Sequence, residues 1–222
     1  MKMHKLVYLM AGVLVLSASV VCTARPQKAL SNSNSLIATP TALQASDRAE
    51  TQRPLTKTAT ISVEGEKTDI KLKLYNPISK VFTTYFPEKD FVVKAFGFRS
   101  GVGVRFNANF ADTKNESANV QIYYPAHPIS LEDLSQFVTG RPGLIRDNKW
   151  QVVSRTQNVP YSWAREKIVF NERRGNENLT GAVYLGEQNG KAFFVITHYP
   201  VEYGDGFEPR AALILQNLQF SN

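Results

Sequence analysis

The sequence predicts an α+β fold, a central antiparallel sheet covered by helices in an α/β/α sandwich, and three observations lead there. From Ala192 to Ile196 every side chain is apolar. Neighbouring residues of a strand point to opposite faces, so such a run needs cover on both and belongs at the centre of a sheet. Farther on, Ala211, Ile214, Leu215 and Leu218 recur at the spacing of one helical face, with Pro209 suited to a first helical position after a Gly204-Asp205-Gly206 turn. Mid-chain the period changes at Ser130: Ser130 and Asp133 have capping-box spacing, and Leu131, Leu134, Phe137 and Val138 form an apolar helical stripe.

At 222 residues, 43% hydrophobic and 20% charged, the chain has ordinary globular composition and room for one domain. Residues 1–24 carry Lys2 and Lys5 ahead of an acid-free apolar run from Leu6 to Val21 and end in small residues, the layout of a signal peptide. That run is shorter than the roughly 20 residues that span a bilayer, which favours export over an uncleaved anchor. Cleavage after Ala24 discards Cys22; in the alternative, Cys22 becomes a lipidated N-terminus as in bacterial lipoproteins, although Ser19, Val20 and Val21 lack the usual Leu and small residue before it. Either way no disulfide forms within the mature domain. Loss of Lys2 and Lys5 lowers the formal charge from +7 to +5, still basic enough to attract acidic protein surfaces or anionic lipid. Nucleic acid is not expected as a partner, since the chain has no zinc spacing, RGG tract or RNP-like aromatic motif.

Residues 25–57 are rich in Ser, Asn, Thr, Ala and Gln, with Pro26, Pro40 and Pro54 among them. They read as a flexible linker with a reach on the order of 30 Å, leading to a domain over 58–222. In that domain, Ile70, Leu72 and Leu74 alternate with Lys71 and Lys73 after an ATISV run, a hairpin turning near Gly65. VFTTYFP, FVVKAFGF and VGVRFNANF are successive strands, the last with Val102, Val104, Phe106, Ala108 and Phe110 on one face. ADTKNES reads as a polar loop, and NVQIYYP as a strand with Val120, Ile122 and Tyr124 inward. The Ser130 helix stops at Gly140 and Pro142. Strands follow near Trp150–Ser154 and Ala164–Asn171, and then a hairpin in which GAVYLGE and KAFFVITHYP flank Asn189-Gly190.

The FTTYFP segment followed by Asp90 and Phe91, the strand ladder, the mid-chain helix leading to a Trp-bearing strand and the ending FFVITHYP…GFEPRAALILQNLQF resemble the PsbP-like group. That group includes the photosystem II extrinsic lumenal protein and the DcrB-type exported lipoproteins. The likeness runs from about Lys80 to Phe220. It implies a non-enzymatic accessory protein in a periplasm or thylakoid lumen, soluble or tethered near a membrane, that binds a membrane protein complex, photosynthetic ones included, or assists its assembly. No ligand set of the family maps onto this chain.

The residues themselves argue against an enzyme. A serine hydrolase needs a nucleophile, a base and an acid that meet in space. Here no G-x-S-x-G elbow exists, and Gly97, Gly101 and Gly103 around Ser100 fit a tight strand turn rather than a phosphate loop. No cofactor is predicted beyond a divalent metal, for which His198 and Asp205, with Glu202, are the candidate ligands; the plainer reading makes His198 a strand-end hydrogen bonder and Asp205 a turn residue. His127, between prolines, reads as an exposed loop residue. For binding, Tyr161, Trp163 and Arg165 in NVPYSWAR have the composition of an interface anchor, and Arg173 and Arg174 in NERRGNEN could grip carboxylate or phosphate. The alternatives are a Trp packed under a loop and a solvated hairpin tip. A ligand or anionic-lipid binding module that uses the arginines is the second functional reading.

Overall fold

The computed structural model describes residues 53–77 and 81–221. The signal segment, Cys22 and the linker up to residue 52 lie outside the described residues. In order, the elements are β1 (Thr56–Val63), β2 (Glu66–Tyr75), β3 (Phe82–Pro87), β4 (Phe91–Phe98), β5 (Gly101–Phe110), β6 (Thr113–Pro125), α1 (Leu131–Thr139), α2 (Leu144–Asp147), β7 (Gln151–Thr156), β8 (Ala164–Arg174), β9 (Glu177–Gln188), β10 (Lys191–Pro200), α3 (Gly204–Gln216) and β11 (Gln219–Phe220). The strands form two antiparallel sheets, one ordered β1-β2-β3-β11 and one ordered β4-β5-β6-β10-β9-β8-β7.

β10 is fourth of seven in the larger sheet, and its side chains divide by parity. Phe193, Val195 and Tyr199 enter one core with Phe106, Ile122, Phe207 and Ile214. Ala192, Phe194 and Ile196 enter another with Leu134, Val138 and Ile145 of the short helices. Phe193 and Phe194 are 0% and 4% exposed, so both faces of the strand are dry, as the apolar run requires.

The expected α/β/α sandwich is not what the chain forms. The protein is mostly β, and on one side the large sheet meets the second sheet and α3 together, on the other only the nine residues of α1 and the four of α2. The early hairpin and FTTYFP do not extend the large sheet. They pair with each other, Leu74 opposite Tyr85 and Leu72 opposite Pro87, because Ile61, Ile70, Leu72 and Tyr85 bury their apolar face beneath Leu213 of α3. After α3 the chain returns as β11, where Phe220 pairs with Phe82 and its ring packs on Phe193. Thr84 Oγ1 donates to the Ile214 carbonyl at 2.6 Å, tying β3 to the helix.

Local signals explain most boundaries. Glu64-Gly65 and Asn189-Gly190 both have positive φ at two successive residues, the backbone of two-residue hairpin turns whose twist matches the strands. Ala111 and Asp112 do the same, so ADTKNES is no loop: its first two residues turn and the rest starts β6, with Phe110 opposite Thr113. Ser130 caps α1 by accepting from the Asp133 amide. The last helix begins five residues before Pro209. Gly204-Asp205-Gly206 is its first turn, and Pro209 costs only the bond its missing N–H would have made near that end. The folded part also reaches back into the expected linker: Arg53 donates to Thr83 Oγ1 and to the Asn217 carbonyl, and lies over the Tyr85 ring.

Truncating Phe193 removes a fully enclosed ring from the larger core. Phe193→Ala is expected to cost about 3–5 kcal/mol of unfolding free energy, measured by denaturant titration; a loss below about 1 kcal/mol contradicts the placement of β10.

Candidate functional site

A polar cluster lies where β8, β10 and the entry to β7 meet. Phe170 and Glu172, two apart on β8, point to the same face by alternation. On β9 the residue paired with Phe170 is Gly181, and Gly181 is paired in turn with His198 of β10. A Cβ at Gly181 would stand 2.1 Å from the Thr197 carbonyl oxygen and 2.8 Å from Phe170 Cζ. The missing side chain lets the rings of Phe170 and His198 approach to 5.6 Å between centroids. Trp150 stacks on Phe170 at 3.9 Å and 7°.

Glu172 is the hub. It accepts from Trp150 Nε1 at 3.0 Å and from Arg174 Nε and Nη2 at 2.9 and 3.1 Å. His198 Nε2 lies 2.9 Å from Glu172 Oε2 but off the line of a hydrogen bond. Burial pushes the His198 imidazole down to about 4; Glu172 opposes this, and Arg174 adds to it. A neutral imidazole therefore faces a carboxylate already claimed by an indole and a guanidinium. Across the sheet Asn119 lies opposite His198 and Asn107 opposite Asn119, and Asn107 Oδ1 is buried with no hydrogen-bond partner among the described residues. The cluster fastens Trp150 to β8 and gives this face of the sheet a polar row beside its apolar one.

The other sequence-derived candidates are dispersed. Asp205 is exposed and lines a cleft of about 530 Å3 with Glu64 and Glu208, while Glu208 accepts from the Tyr199 hydroxyl. His198 meets Glu172 instead of Asp205, and among the described residues no group of three or more His, Cys, Asp or Glu is arranged to hold a metal. Trp163 is 5% exposed and donates to the Leu215 carbonyl at 3.1 Å, inside the larger core. Tyr161 stacks on it, half-buried, with burial raising the phenol. Arg165 is exposed and donates to the Ser162 carbonyl at 2.9 Å. Arg173 is exposed near the β8–β9 turn; Arg174, beside it in sequence, turns back to Glu172.

Two features escaped the sequence reading. One is the pairing of His198 with Glu172, whose only signal was that Phe170 and Glu172 alternate onto one face; the register that brings them to His198 could not be read. The other is that β7 is exposed at all six residues. It is an edge of the large sheet, with Val152 52% and Val153 59% exposed, and the pairing with β8 shifts between Val152 and Ser154. A bulged residue is left out of the ladder, which accounts for two consecutive valines outside the core.

No family model matches the chain, and no curated protein matches it. Among solved structures it is similar to a crystal structure from Bacteroides thetaiotaomicron VPI-5482, at 12% sequence identity and a TM-score of 0.42. The match covers 67% of this chain and 48% of that one, so the chain spans about half the length of that protein. Among the described residues no helix is long and apolar enough to cross a membrane.

Folded His198 stays neutral down to about pH 4, whereas the unfolded chain takes up its proton near 6.5. Between those values the unfolded state binds more protons, so His198 makes stability fall as pH drops from 6.5 towards 4, by up to about 3 kcal/mol. Denaturant titrations at pH 7, 5.5 and 4.5 should show a shallower loss in His198→Gln than in the native chain. Parallel losses would show that other groups carry the pH dependence.

Proposed function

We propose that the chain is an exported, non-catalytic accessory domain that docks on a membrane-associated protein complex, with β7 as the docking edge. The observation that carries this reading is the exposed edge strand. Among the described residues no strand pairs with the outer side of β7, and its row of backbone donors and acceptors with two exposed valines is a template on which a partner strand can add, the backbone giving affinity and the side chains selecting the partner. Arg155 does not guard the edge with a free charge, because it is paired with Glu166 of β8 and donates to Ser135 of α1. The signal-like segment 1–24, the basic charge and the resemblance to the PsbP-like group support an address in a periplasm or thylakoid lumen beside a membrane. If Cys22 is lipidated, the long polar segment behind it would let the domain reach a partner beside the membrane.

Affinity capture from native membranes with a C-terminally tagged full chain tests the reading. A partner should co-purify with the native chain, be lost with Val153→Lys, and be retained with Val201→Lys, an exposed valine away from the edge. Recovery of the bait alone, or of the same partner with Val153→Lys, contradicts it.

A further inference from the structure

We propose that the cleft between α1, α2 and the start of β7 is a binding site for a phosphate monoester whose organic part is apolar or planar. This stands apart from docking at β7. The cleft has a volume of about 460 Å3, within the range of small-molecule sites, and Arg141, Arg146 and Lys149 contribute to its wall together with Ile145, Trp150 and Thr139.

The chain places these groups through the way α2 ends. The Lys149 amide donates to the Arg146 carbonyl and the Trp150 amide to the Ile145 carbonyl, each at 2.9 Å, and Lys149 has φ +58°. This is the pair of bonds that closes a helix with a left-handed residue, a position glycine normally fills. Here a lysine fills it, and the same closure sets Trp150 against Phe170, with its indole N–H spent on Glu172.

Charge decides the ligand class. Among the described residues, no ion pair or side-chain hydrogen bond engages Arg141, Arg146 or Lys149, while Arg105, Arg155, Arg174 and Arg210 each have a side-chain partner. The nearest acid in sequence, Asp147, is not part of the wall and pairs with none of the three. Three uncompensated cations suit a dianion better than a single carboxylate. Two of them are guanidinium forks that match phosphate oxygens two at a time, and Trp150 and Ile145 offer an apolar wall to whatever the phosphate carries. A soluble phosphate ester and a phosphate-terminated lipid headgroup present the same chemistry.

The test uses the full chain. 1-Naphthyl phosphate is titrated against the tryptophan fluorescence, and vesicles of phosphatidylcholine with or without phosphatidic acid are tested by co-sedimentation. Saturable binding of the soluble ester assigns the site to free phosphate monoesters; binding confined to phosphatidic acid vesicles assigns it to lipid; either supports the proposal. In both cases Lys149→Gly and Arg146→Gln should weaken binding at least tenfold, and Lys67→Gln, exposed on β2 and outside the cleft, should not. Lys149→Gly removes the charge from a position where glycine is at ease, so its melting temperature should equal or exceed that of the native chain, which separates lost binding from lost folding. The proposal is overturned if neither probe binds, if Lys149→Gly binds as the native chain does, or if Lys67→Gln loses as much as the cleft variants.

Discussion

The structure depends on the two-sided burial of β10. A strand that is apolar at five successive positions cannot lie at an edge or present one face to water without exposing rings, and each large side chain so exposed forgoes roughly 1.5–3 kcal/mol. Placing it fourth of seven strands gives it backbone partners on both sides, β6 and β9, and requires something to lie on each face. The chain meets the two demands differently. Over Phe194 and Ile196 lie the short helices, and over Phe193 and Val195 lies a compound layer of α3 and the second sheet.

That asymmetry shows which parts of the fold were legible. Period-2 alternation in Val104, Phe106 and Ala108, the Asn189-Gly190 turn and the Ser130 cap are local, and each formed as the local rule dictates. The second sheet was not local. Ile70, Leu72 and Leu74 announce a strand with one dry face but not what dries it, and a mostly β, two-sheet body resulted where a single sheet between helical layers was expected. Pro209 misled for a related reason: proline is at home in a first helical turn, but it is tolerated slightly deeper when its side of the helix can spare one bond.

The candidate sites were less legible than the fold, because chemistry depends on register. In sequence His198 has Glu202 and Asp205 as neighbours; in space it has Glu172, Trp150 and Phe170, brought across two strands by a glycine at the one position where a side chain would block them. Trp163, in sequence an aromatic beside an arginine, is a core residue whose N–H is spent on the last turn of α3. Conversely, the left-handed helix end at Lys149 carries no sequence signal, because such an end is recognised by glycine and this one carries a lysine. The β7 edge is exposed at every residue, and the cleft between α1 and α2 is lined by Arg141, Arg146 and Lys149.

Amide hydrogen exchange resolved to single residues tests the central claim most directly. If β10 is the doubly covered centre of the large sheet, the amides of Phe193 to Thr197 exchange only through global unfolding, with protection equal to the full unfolding free energy, while those of β7 exchange through smaller openings. Protection in β10 no greater than in β7 would contradict the account.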